Sequence, residues 1–545
     1  MPNTEEQYTE YARQRTEYSK KILESNSSKK IVMAGPGTGK SFLFQQVAGK
    51  YRDEGKENII VLSFINELVK DLSIDMHGRA EVSTLHSFAA KELKMKQPIH
   101  MDLLRVIEED LETERGEKKS FDTILNNLDP NEPHAIEYLR LRKEYYAHTH
   151  PSVMVYDLVQ YYTQDHNKIP TYDLILVDEY QDFNLLEVEL INLLSTKSDI
   201  IIAGDDDQSL YSFKHSVPDN IREKHASEDY EAFELPYCSR STEVVINAFH
   251  DVIGNAKSAD YLKSRIEKQY LYFPCKEKDG VSANYPKIIV KKSVQQKQNA
   301  FFIDAAISKT FEHEPKFEVL IICSLKSQIN SLGSALRKKG YNNITGDDLA
   351  TDKSSLLSDG LRCLMDDKDS NLGWRLCAEA LLDDSIFRDT IKNTSDRSKP
   401  YKDVLSAEAK SEIKTLRAAC GKIKEHKALT KVQQDLLFEK LDISVTQLGE
   451  NNVRDRIFST RSNKVHNGVK IKLTTILGSK GLSYDYVFMV NFDDKYLIKK
   501  EVNDECINMF LVAMTRSKKQ ISIFTSQTKE PKFVGWIDAS RKLLA

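Results

Sequence analysis

Long apolar runs are missing from this chain of 545 residues. None reaches the roughly 18–20 residues that a membrane-spanning helix needs, so we expect no membrane partner. The first segment, MPNTEEQYTEYARQR, is polar and charged, so we expect no secretory signal. Cysteine is scarce, and the seven present are far apart and form no CxxC pair. This pattern argues against a disulfide framework or a zinc ribbon and favours a reducing, cytoplasmic location.

An excess of charge of one sign is also lacking. The 78 Lys and Arg residues nearly balance the 82 Asp and Glu residues, which gives a net charge of −4. Such a balance argues mildly against a nucleic-acid partner, because domains that bind nucleic acids often carry a basic face. The charge of the whole chain is weak evidence, however, since one locally basic groove is enough for a motor on nucleic acid.

Short β-rich runs alternate with helical segments in two parts of the chain, which predicts an α/β fold with parallel sheets. The candidate strands of the first part are KIVMA at 30–34, IIVLSF at 59–64, DLILVD at 173–178 and IIIAGD at 200–205. Those of the second part lie at 287–290, 319–323, 470–474, 486–490 and 520–524.

Two charged, mainly helical stretches interrupt these α/β parts, and we interpret them as inserted domains. The sequence shows no repeat of solenoid period and no low-complexity tract. The predicted boundaries are 1–88 and 171–234 for the first α/β domain, 89–170 for its insertion, 235–346 and 468–545 for the second α/β domain, and 347–467 for its insertion.

The strongest local motif is AGPGTGKS, formed by Ala34, Gly35, Pro36, Gly37, Thr38, Gly39, Lys40 and Ser41. It follows a predicted strand and opens a predicted helix, which is the context that a phosphate-binding loop requires. Glycines let backbone N–H groups face the phosphates, and the helix N-terminus adds partial positive charge. Lys40 would neutralise phosphate charge, and Ser41 would ligate Mg²⁺. The motif predicts ATP binding; the alternative is a Gly-rich turn without a nucleotide.

A second motif, VDEYQD, ends the predicted strand at 173–178. Asp178 there would hold Mg²⁺ through water, and Glu179 would polarise the attacking water. Carboxylates at a strand end also occur as simple loop residues, so this motif gains its weight from the loop upstream.

A third motif, GDDDQSLYSFK at 204–214, follows the next predicted strand. Gln208 is a candidate sensor of the γ-phosphate. Tyr211 and Phe213 are candidates for stacking on nucleic-acid bases, an interaction of roughly 1–3 kcal/mol per base. The alternative is a solvated acidic turn followed by core aromatics.

These three motifs, in this order, resemble those of superfamily 1 helicases of the UvrD/Rep/PcrA type. Further segments match in sequence: SFINELV, STLHSFA, YCSRST, TTILGSKGLSYD and FLVAMTRSKKQ. The resemblance covers residues 10–245, 318–340 and 469–525. It implies a fold of two RecA-like parallel-sheet domains of the P-loop NTPase class, each with a mainly helical insertion.

The resemblance also implies roles for single residues. Arg240 and Arg516 would reach the γ-phosphate from the second domain, Gln14 would read the adenine, and Tyr237 would lie at the nucleotide. The implied DNA contacts are Phe64, Asn66, Thr84, His86, Tyr211, Phe213, Thr475 and Lys480.

Each of these residues, taken singly, has a second interpretation. His86 would suit a hydrogen-bonded core or capping position, Phe64 would suit the core, and the two arginines would suit surface ion pairs. The order of all the motifs together favours the functional interpretation.

The sequence departs from the family pattern at several positions. Ser239 stands where the family has Tyr before the arginine of its fourth motif, Leu477 and Ser483 replace His and Glu in the fifth motif, and Phe213 replaces Trp in the third. Base packing and DNA contacts are therefore expected to differ at these places.

The function implied by the resemblance is an ATP-dependent helicase that moves 3′ to 5′ on single-stranded or tailed DNA, with ATP and Mg²⁺ as cofactors. DNA repair is one setting for such a protein. The alternative hypothesis is an ATPase subunit that gates or recruits a protein effector, such as a nuclease in anti-phage defence, without strong unwinding.

Overall fold

The structure is a computed structural model. The residues that it describes are 4–63, 66–116, 120–126, 133–210, 218–341, 344–346, 353–394, 397–441, 469–498 and 500–545. They divide into two compact units. The first takes its described residues from the ranges 1–88, 159–349 and 465–545, and the second takes them from 89–158 and 350–464.

The first unit contains two parallel sheets, and we call each sheet with its helices a lobe. The strands of the first lobe are β1 (Lys29–Ala34), β2 (Ile59–Ser63), β3 (Glu81–Thr84), β4 (Leu174–Val177), β5 (Ile200–Gly204) and β6 (Glu231–Leu235). They lie in the order β3-β2-β4-β5-β1-β6. All the pairs are parallel, so the carboxyl ends of the strands meet at one edge. The loops after β1, β4 and β5, which carry the three motifs, therefore converge there.

The second lobe is built on a sheet of seven parallel strands. Before it comes a short parallel pair, β7 (Tyr237–Cys238) and β8 (Leu271–Tyr272). The strands of the sheet are β9 (Ile288–Lys291), β10 (Phe317–Cys323), β11 (Ile344–Gly346), β12 (Val469–Thr475), β13 (Tyr484–Val490), β14 (Ser517–Phe524) and β15 (Lys542–Leu544). Their order is β11-β12-β10-β13-β14-β9-β15.

Helices lie between the strands of both lobes and also make up the second unit. Those of the first part of the chain are α1 (Glu5–Glu24), α2 (Lys40–Asp53), α3 (Asn66–Asp75), α4 (Leu85–Glu92), α5 (Leu103–Arg115), α6 (Phe121–Asn126), α7 (Pro133–Arg140), α8 (Pro151–Gln164), α9 (Leu185–Leu194) and α10 (Asp219–Ala226). The next are α11 (Glu243–Ser258), α12 (Lys276–Asn284), α13 (Asn299–Phe311), α14 (Ser327–Lys338), α15 (Lys353–Asp366), α16 (Asn371–Leu381), α17 (Asp384–Asn393), α18 (Tyr401–Val404), α19 (Ala407–Lys424) and α20 (Lys431–Leu441). The last are α21 (Asp494–Leu497), α22 (Asp504–Met514) and α23 (Lys532–Gly535).

The central strands of both sheets are nearly continuous runs of buried aliphatic residues, such as LILV in β4 and IIIAG in β5. This composition is typical of parallel strands that are covered on both faces. The predicted fold class, α/β with two RecA-like parallel sheets, is confirmed. The predicted domain boundaries stay a prediction.

The second unit is helical and combines the two segments that the sequence predicted as separate insertions. A buried charge cluster in it joins α5 to α16. Arg375, which has no exposed surface, donates to Asp110 Oδ1 at 2.9 Å, to Glu109 Oε2 at 2.9 Å and to Glu379 Oε2 at 2.6 Å. Its guanidinium carbon lies 4.3 Å from the centre of the Phe387 ring. We call these five residues the Arg375 cluster.

Membrane-spanning character is not found in the described part of the chain, where each helix is too short or too polar to cross a bilayer.

Candidate nucleotide-binding site

The loop between β1 and α2 has the backbone geometry of a phosphate cradle. Gly37 and Gly39 have φ values of 72° and 100°, a left-handed region that residues with a Cβ rarely adopt. Thr38 Oγ1 donates to the carbonyl oxygen of Gly35 at 2.9 Å, which closes the turn. Lys40 begins α2, so its side chain rises beside the free N–H groups at the helix start, where anions bind well.

Lys40 is held by the second motif. Its Nζ lies 3.2 Å from Glu179 Oε1 and 3.4 Å from the Ala34 carbonyl oxygen. Burial opposes the charge of Lys40, but Glu179, Asp178 and Asp205 outweigh it and raise the lysine pKa. Burial likewise opposes the charge of Glu179, but Lys40 and Lys480 outweigh it and lower the glutamate pKa. The two side chains are therefore an ionised pair.

Asp178 and Ser41 are the residues that the sequence predicted as magnesium ligands. Asp178 accepts a hydrogen bond from the Glu179 N–H at 3.0 Å, and burial together with the neighbouring Glu179 charge raises its pKa. A buried carboxylate whose charge is poorly compensated fits a nearby cation, because the cation would supply the missing positive charge. Ser41 adds a hydroxyl oxygen at the start of α2. These two residues could therefore supply oxygen ligands of the kind that Mg²⁺ prefers.

A chain of amide contacts links the second and third motifs. Gln181 Nε2 donates to Glu179 Oε2 at 2.7 Å, and Gln181 Oε1 accepts from the Asp205 N–H at 3.0 Å. Gln208 Nε2 donates to Asp205 Oδ2 at 2.9 Å. The free face of Gln208 then meets the second lobe, because its Oε1 accepts from Arg516 Nη2 at 3.0 Å.

Arg516 lies between the lobes, and no carboxylate among the described residues pairs with it. Its other hydrogen bonds go to the carbonyl oxygens of Val512 and Leu482 and to the hydroxyl of Thr515. Burial, with the charge of Arg240 nearby, lowers its pKa to about 10. The positive charge of Arg516 is thus poorly stabilised here, and a neighbouring anion would stabilise it.

Arg240, the other predicted arginine, lies directly over the phosphate-binding loop. A methyl group added to Gly37 would come within 2.3 Å of Arg240 Cβ and 3.3 Å of its Nε. The neighbouring Ser239 N–H donates to the Gly37 carbonyl oxygen at 3.0 Å. The second lobe therefore contacts the backbone of this loop, and the glycine provides the clearance.

Sequence reasoning missed a buried ion cluster at this junction. Lys268 of the second lobe lies 3.0 Å from both Asp205 Oδ1 and Asp207 Oδ2, and it also pairs with Asp206. Arg265 donates to both oxygens of Asp207 at 2.8 and 2.9 Å. Burial opposes the charge of Lys268, but the three carboxylates raise its pKa. We call these five residues the Lys268 cluster.

Lys480, which the sequence predicted as a DNA contact, has a different position. Its ammonium is buried between the lobes, 2.5 Å from Asp182 Oδ1, and it also donates to the Gln208 carbonyl oxygen. Burial raises the pKa of Asp182 to about 7 in spite of Lys480. The DNA contact of Lys480 stays a prediction, and in this structure its ammonium is buried with these two acceptors.

A cavity of about 550 Å³ opens beside the phosphate-binding loop, and this size suits a small ligand. Tyr237, which the sequence predicted as a nucleotide neighbour, is one of the lining residues. Gln14, the predicted adenine reader, does not line it; its Oε1 accepts from the Tyr237 hydroxyl at 2.7 Å and its Nε2 donates to Glu10. Gln14 stays a prediction as the adenine reader, and both ends of its amide have partners outside the cavity in this structure.

Of the remaining predicted DNA contacts, Thr84, His86, Thr475 and Asn66 lie within the described residues. Thr84 is buried and shares a 2.9 Å hydrogen bond with Ser87. His86 is partly exposed, 3.7 Å from Glu187. Thr475 ends β12, and its hydroxyl accepts from the Gly478 N–H. Asn66 begins α3, and Phe64, Tyr211 and Phe213 lie outside the described residues.

Only some of the residues that sequence reasoning missed had a signal in the sequence. Gln181 and Asp182 belong to the VDEYQD motif itself, and their buried polar side chains carry the contacts described above. Arg15 and Phe273 line the cavity, where the Arg15 guanidinium lies 4.7 Å from the Phe273 ring centre. Lys268 and Arg265 had no local signal, because isolated cations in a charged segment usually face solvent.

Two protein-family models match this chain. The AAA domain model matches residues 19–214, and the UvrD-like helicase C-terminal domain model matches residues 385–528. The first match contains the three motifs of the first lobe, and the second contains Arg516 and Lys480.

Curated relatives match over shorter parts of their length. The ATP-dependent DNA helicase Rep of Buchnera aphidicola subsp. Acyrthosiphon pisum is 36% identical over 100 residues, which cover 18% of this chain and 15% of the relative. The DNA helicase II of Haemophilus influenzae is 35% identical over 82 residues, 15% of this chain and 11% of the relative. The ATP-dependent DNA helicase PcrA of Staphylococcus aureus is 23% identical over 280 residues, which cover 41% of this chain and 38% of the relative. The chain thus matches less than half the length of each.

Proposed function

Because the chain belongs to the UvrD-like helicase family and is of the UvrD/Rep/PcrA type, we propose that it is an ATP-dependent motor that moves 3′ to 5′ on single-stranded DNA and opens tailed duplexes. One observation carries the proposal. The second lobe places Arg240 over the phosphate-binding loop and Arg516 on Gln208, so two guanidinium groups meet the acidic site of the first lobe.

ATP binding would rearrange the ionised pair of Lys40 and Glu179. The phosphates compete with Glu179 for the lysine ammonium, because they carry more charge and lie where the helix start favours anions. Glu179, released from Lys40 but still held by Gln181, would then orient the attacking water. Mg²⁺, held by Ser41 and Asp178, would neutralise phosphate charge.

Hydrolysis would depend on contact between the lobes. Arg240 and Arg516 come from the second lobe, and an arginine supplied to a phosphoryl group accelerates transfer by roughly 10³–10⁵ in other enzymes. The pKa of Arg516, which burial and Arg240 lower to about 10, indicates that this guanidinium gains from an incoming anion. Closure of the lobes on ATP would therefore be coupled to turnover.

Movement along DNA would follow if the lobes grip the strand differently before and after hydrolysis. The candidate contacts on the first lobe include His86, which follows the end of β3, whereas Phe64 lies outside the described residues. Those on the second lobe follow β12, around Thr475. In a parallel sheet these positions share the carboxyl edge, so each lobe offers one row of contacts to a strand.

The primary test is ATP turnover by the whole chain with and without a single-stranded oligonucleotide. We expect DNA to stimulate turnover, and we expect Lys40→Ala and Glu179→Gln to lower the stimulated rate by at least about 10², since each removes a group at the reacting phosphate. Far-ultraviolet circular dichroism checks that both variants fold. Unchanged turnover in either variant, or no response to DNA, would count against the proposal.

A second candidate function is a nucleotide-gated subunit that recruits a protein effector without strong unwinding. It is favoured by Leu477, which stands in the fifth motif as an apolar side chain and packs against the core of the second lobe. A strand-displacement assay on 3′-tailed and 5′-tailed duplexes separates the two. Unwinding of the 3′-tailed substrate alone supports the helicase, whereas DNA-stimulated turnover without unwinding supports the gated subunit.

A further inference from the structure

One amide in the cavity beside the phosphate-binding loop has an unused acceptor. Gln46, on α2, lines this cavity, and its Oε1 atom is buried without a hydrogen-bond partner among the described residues. A buried acceptor left unpaired costs about 1–3 kcal/mol, so proteins rarely keep one unless a ligand or water satisfies it. The position of this oxygen therefore points to a ligand that donates a hydrogen bond.

The same face of α2 carries an exposed ring. Phe42 lies one helical turn before Gln46, and residues four apart share a helix face. Phe42 is 58% exposed and also lines the cavity, close to Lys40 and Ser41 at the helix start. An exposed ring on a cavity wall is suited to stacking on a flat ligand.

The cavity is also lined by aromatic residues from outside α2. Tyr237 and Phe273 line it, with Arg15 placed over the Phe273 ring. Ser239, the residue directly before Arg240, is too small to cover a base. The rings that can contact a flat ligand here therefore come from Phe42 on α2 and from Phe273 and Tyr237.

We propose that Gln46 reads the nucleotide base, by accepting a hydrogen bond from the 6-amino group of adenine while Phe42 stacks on the ring. This inference rests on the proposed ATP-binding function and assigns the base specificity of that site. Adenine donates at position 6, whereas guanine and hypoxanthine carry a carbonyl oxygen there. A carbonyl facing the buried Oε1 would place two acceptors together, so the site should prefer adenine nucleotides.

The test measures the binding of ADP and of inosine diphosphate by calorimetry, with Mg²⁺ and without turnover. Inosine diphosphate differs from ADP at position 6, where it has an oxygen in place of the amino group, and at N1, which carries a proton. We expect the intact chain to bind ADP roughly tenfold more tightly, the usual value of one hydrogen bond to a buried group. Gln46→Met should reduce this preference to less than about twofold, because it keeps the volume and removes the acceptor.

Matched variants keep the test specific. Gln45→Met makes the same change one residue earlier, on a side of α2 that does not line the cavity, and should keep the full preference. Phe42→Ala should weaken both nucleotides roughly tenfold without changing their ratio. Gln14→Met should leave the ratio unchanged, because the Gln14 amide is engaged with Tyr237 and Glu10.

The outcomes separate this inference from the function beneath it. If the intact chain binds both diphosphates equally, or if Gln46→Met keeps the preference, the assignment is overturned while nucleotide binding stands. Loss of the preference in Gln14→Met and not in Gln46→Met would also overturn it. If neither nucleotide binds, and Lys40→Ala behaves like the intact chain, the proposed function itself fails.

Discussion

The Lys268 cluster in the first unit and the Arg375 cluster in the second bury charge between segments that are far apart in sequence, yet their surroundings differ. Arg375 meets three carboxylates and a ring, and although burial opposes its charge, Asp110 raises its pKa far above the ordinary value. The junction around the Lys268 cluster also holds buried groups whose charge is poorly compensated, Asp182 and Arg516. Asp182 has one oxygen without a partner among the described residues, and burial raises its pKa to about 7.

This difference separates two uses of buried charge. Breaking a fully paired buried ion group leaves a bare charge inside, so such a group holds its segments together. A site that carries unsatisfied charge gains free energy when a ligand supplies the missing partner. We infer that the Arg375 cluster fastens two chain segments, whereas the junction between the lobes is built to rearrange.

The largest expected effect tests the rearranging junction. Arg516→Ala should lower the stimulated kcat by roughly 10³ or more, because the guanidinium would act on the phosphate. The unfolding midpoint should change little, since burial and Arg240 already lower the pKa of Arg516 and its charge is poorly stabilised. Single-turnover hydrolysis and a thermal melt measure the two quantities. A large loss of stability with normal hydrolysis would make Arg516 a structural residue.

The converse result is expected for the Arg375 cluster. Arg375→Ala should lower the free energy of unfolding of the second unit by about 3–5 kcal/mol, because it leaves Asp110 buried without its cation. Urea unfolding, with hydrogen exchange in α5 and α16 to identify the transition, measures this. Arg388→Ala, an exposed arginine on α17, is the matched control and should change stability by less than about 0.5 kcal/mol. Equal effects of the two variants would contradict the role of the cluster.

A smaller effect is expected at Lys268. Lys268→Ala leaves three acidic side chains close together without their shared ammonium, and their repulsion should loosen the lobes. We expect kcat to fall roughly tenfold and hydrogen exchange to rise in the turn Asp206–Gln208 and in β8. Lys268→Arg keeps the charge, so its kcat and its exchange rates should lie between those of the intact chain and those of Lys268→Ala. Unchanged exchange in Lys268→Ala would show that the lobes do not depend on this lysine.

The smallest effect concerns pH. Asp182 is surrounded by Lys480, Glu179 and Lys40, and burial raises its pKa to about 7. An acid whose pKa is raised on burial favours the buried state most below its ordinary pKa, and this contribution is lost as pH rises from about 4 to about 7. Contact between the lobes should therefore weaken over that range, by a few fold, and level off above it. Hydrogen exchange of β8 as a function of pH measures it, and Asp182→Asn should flatten the profile.

Much of the fold was accessible from sequence because the signals are local. The buried runs of β1, β4 and β5, and the glycines before α2, identify themselves by composition. The strand β6 was missed because its burial alternates poorly and its first residues are exposed, so it has no apolar run to detect. The union of the two helical segments also had no signal, since Arg375 and Asp110 are 265 residues apart.

The site followed the same rule. Lys40, Glu179, Gln208 and the two arginines were predicted from ordered motifs, and the structure brings them together. The contacts of Gln14 could not be predicted, because a glutamine in a polar helix gives no sign of which way its amide turns. Lys268 was missed because only tertiary packing brings it to the acidic motif.

The left-handed glycine at position 37 has a further consequence. The space beneath Arg240 Cβ is smaller than one methyl group. Even the methyl group of an alanine at position 37 would therefore force the second lobe away from the loop. The closest approach of the two lobes at this loop therefore depends on the absence of a side chain at position 37.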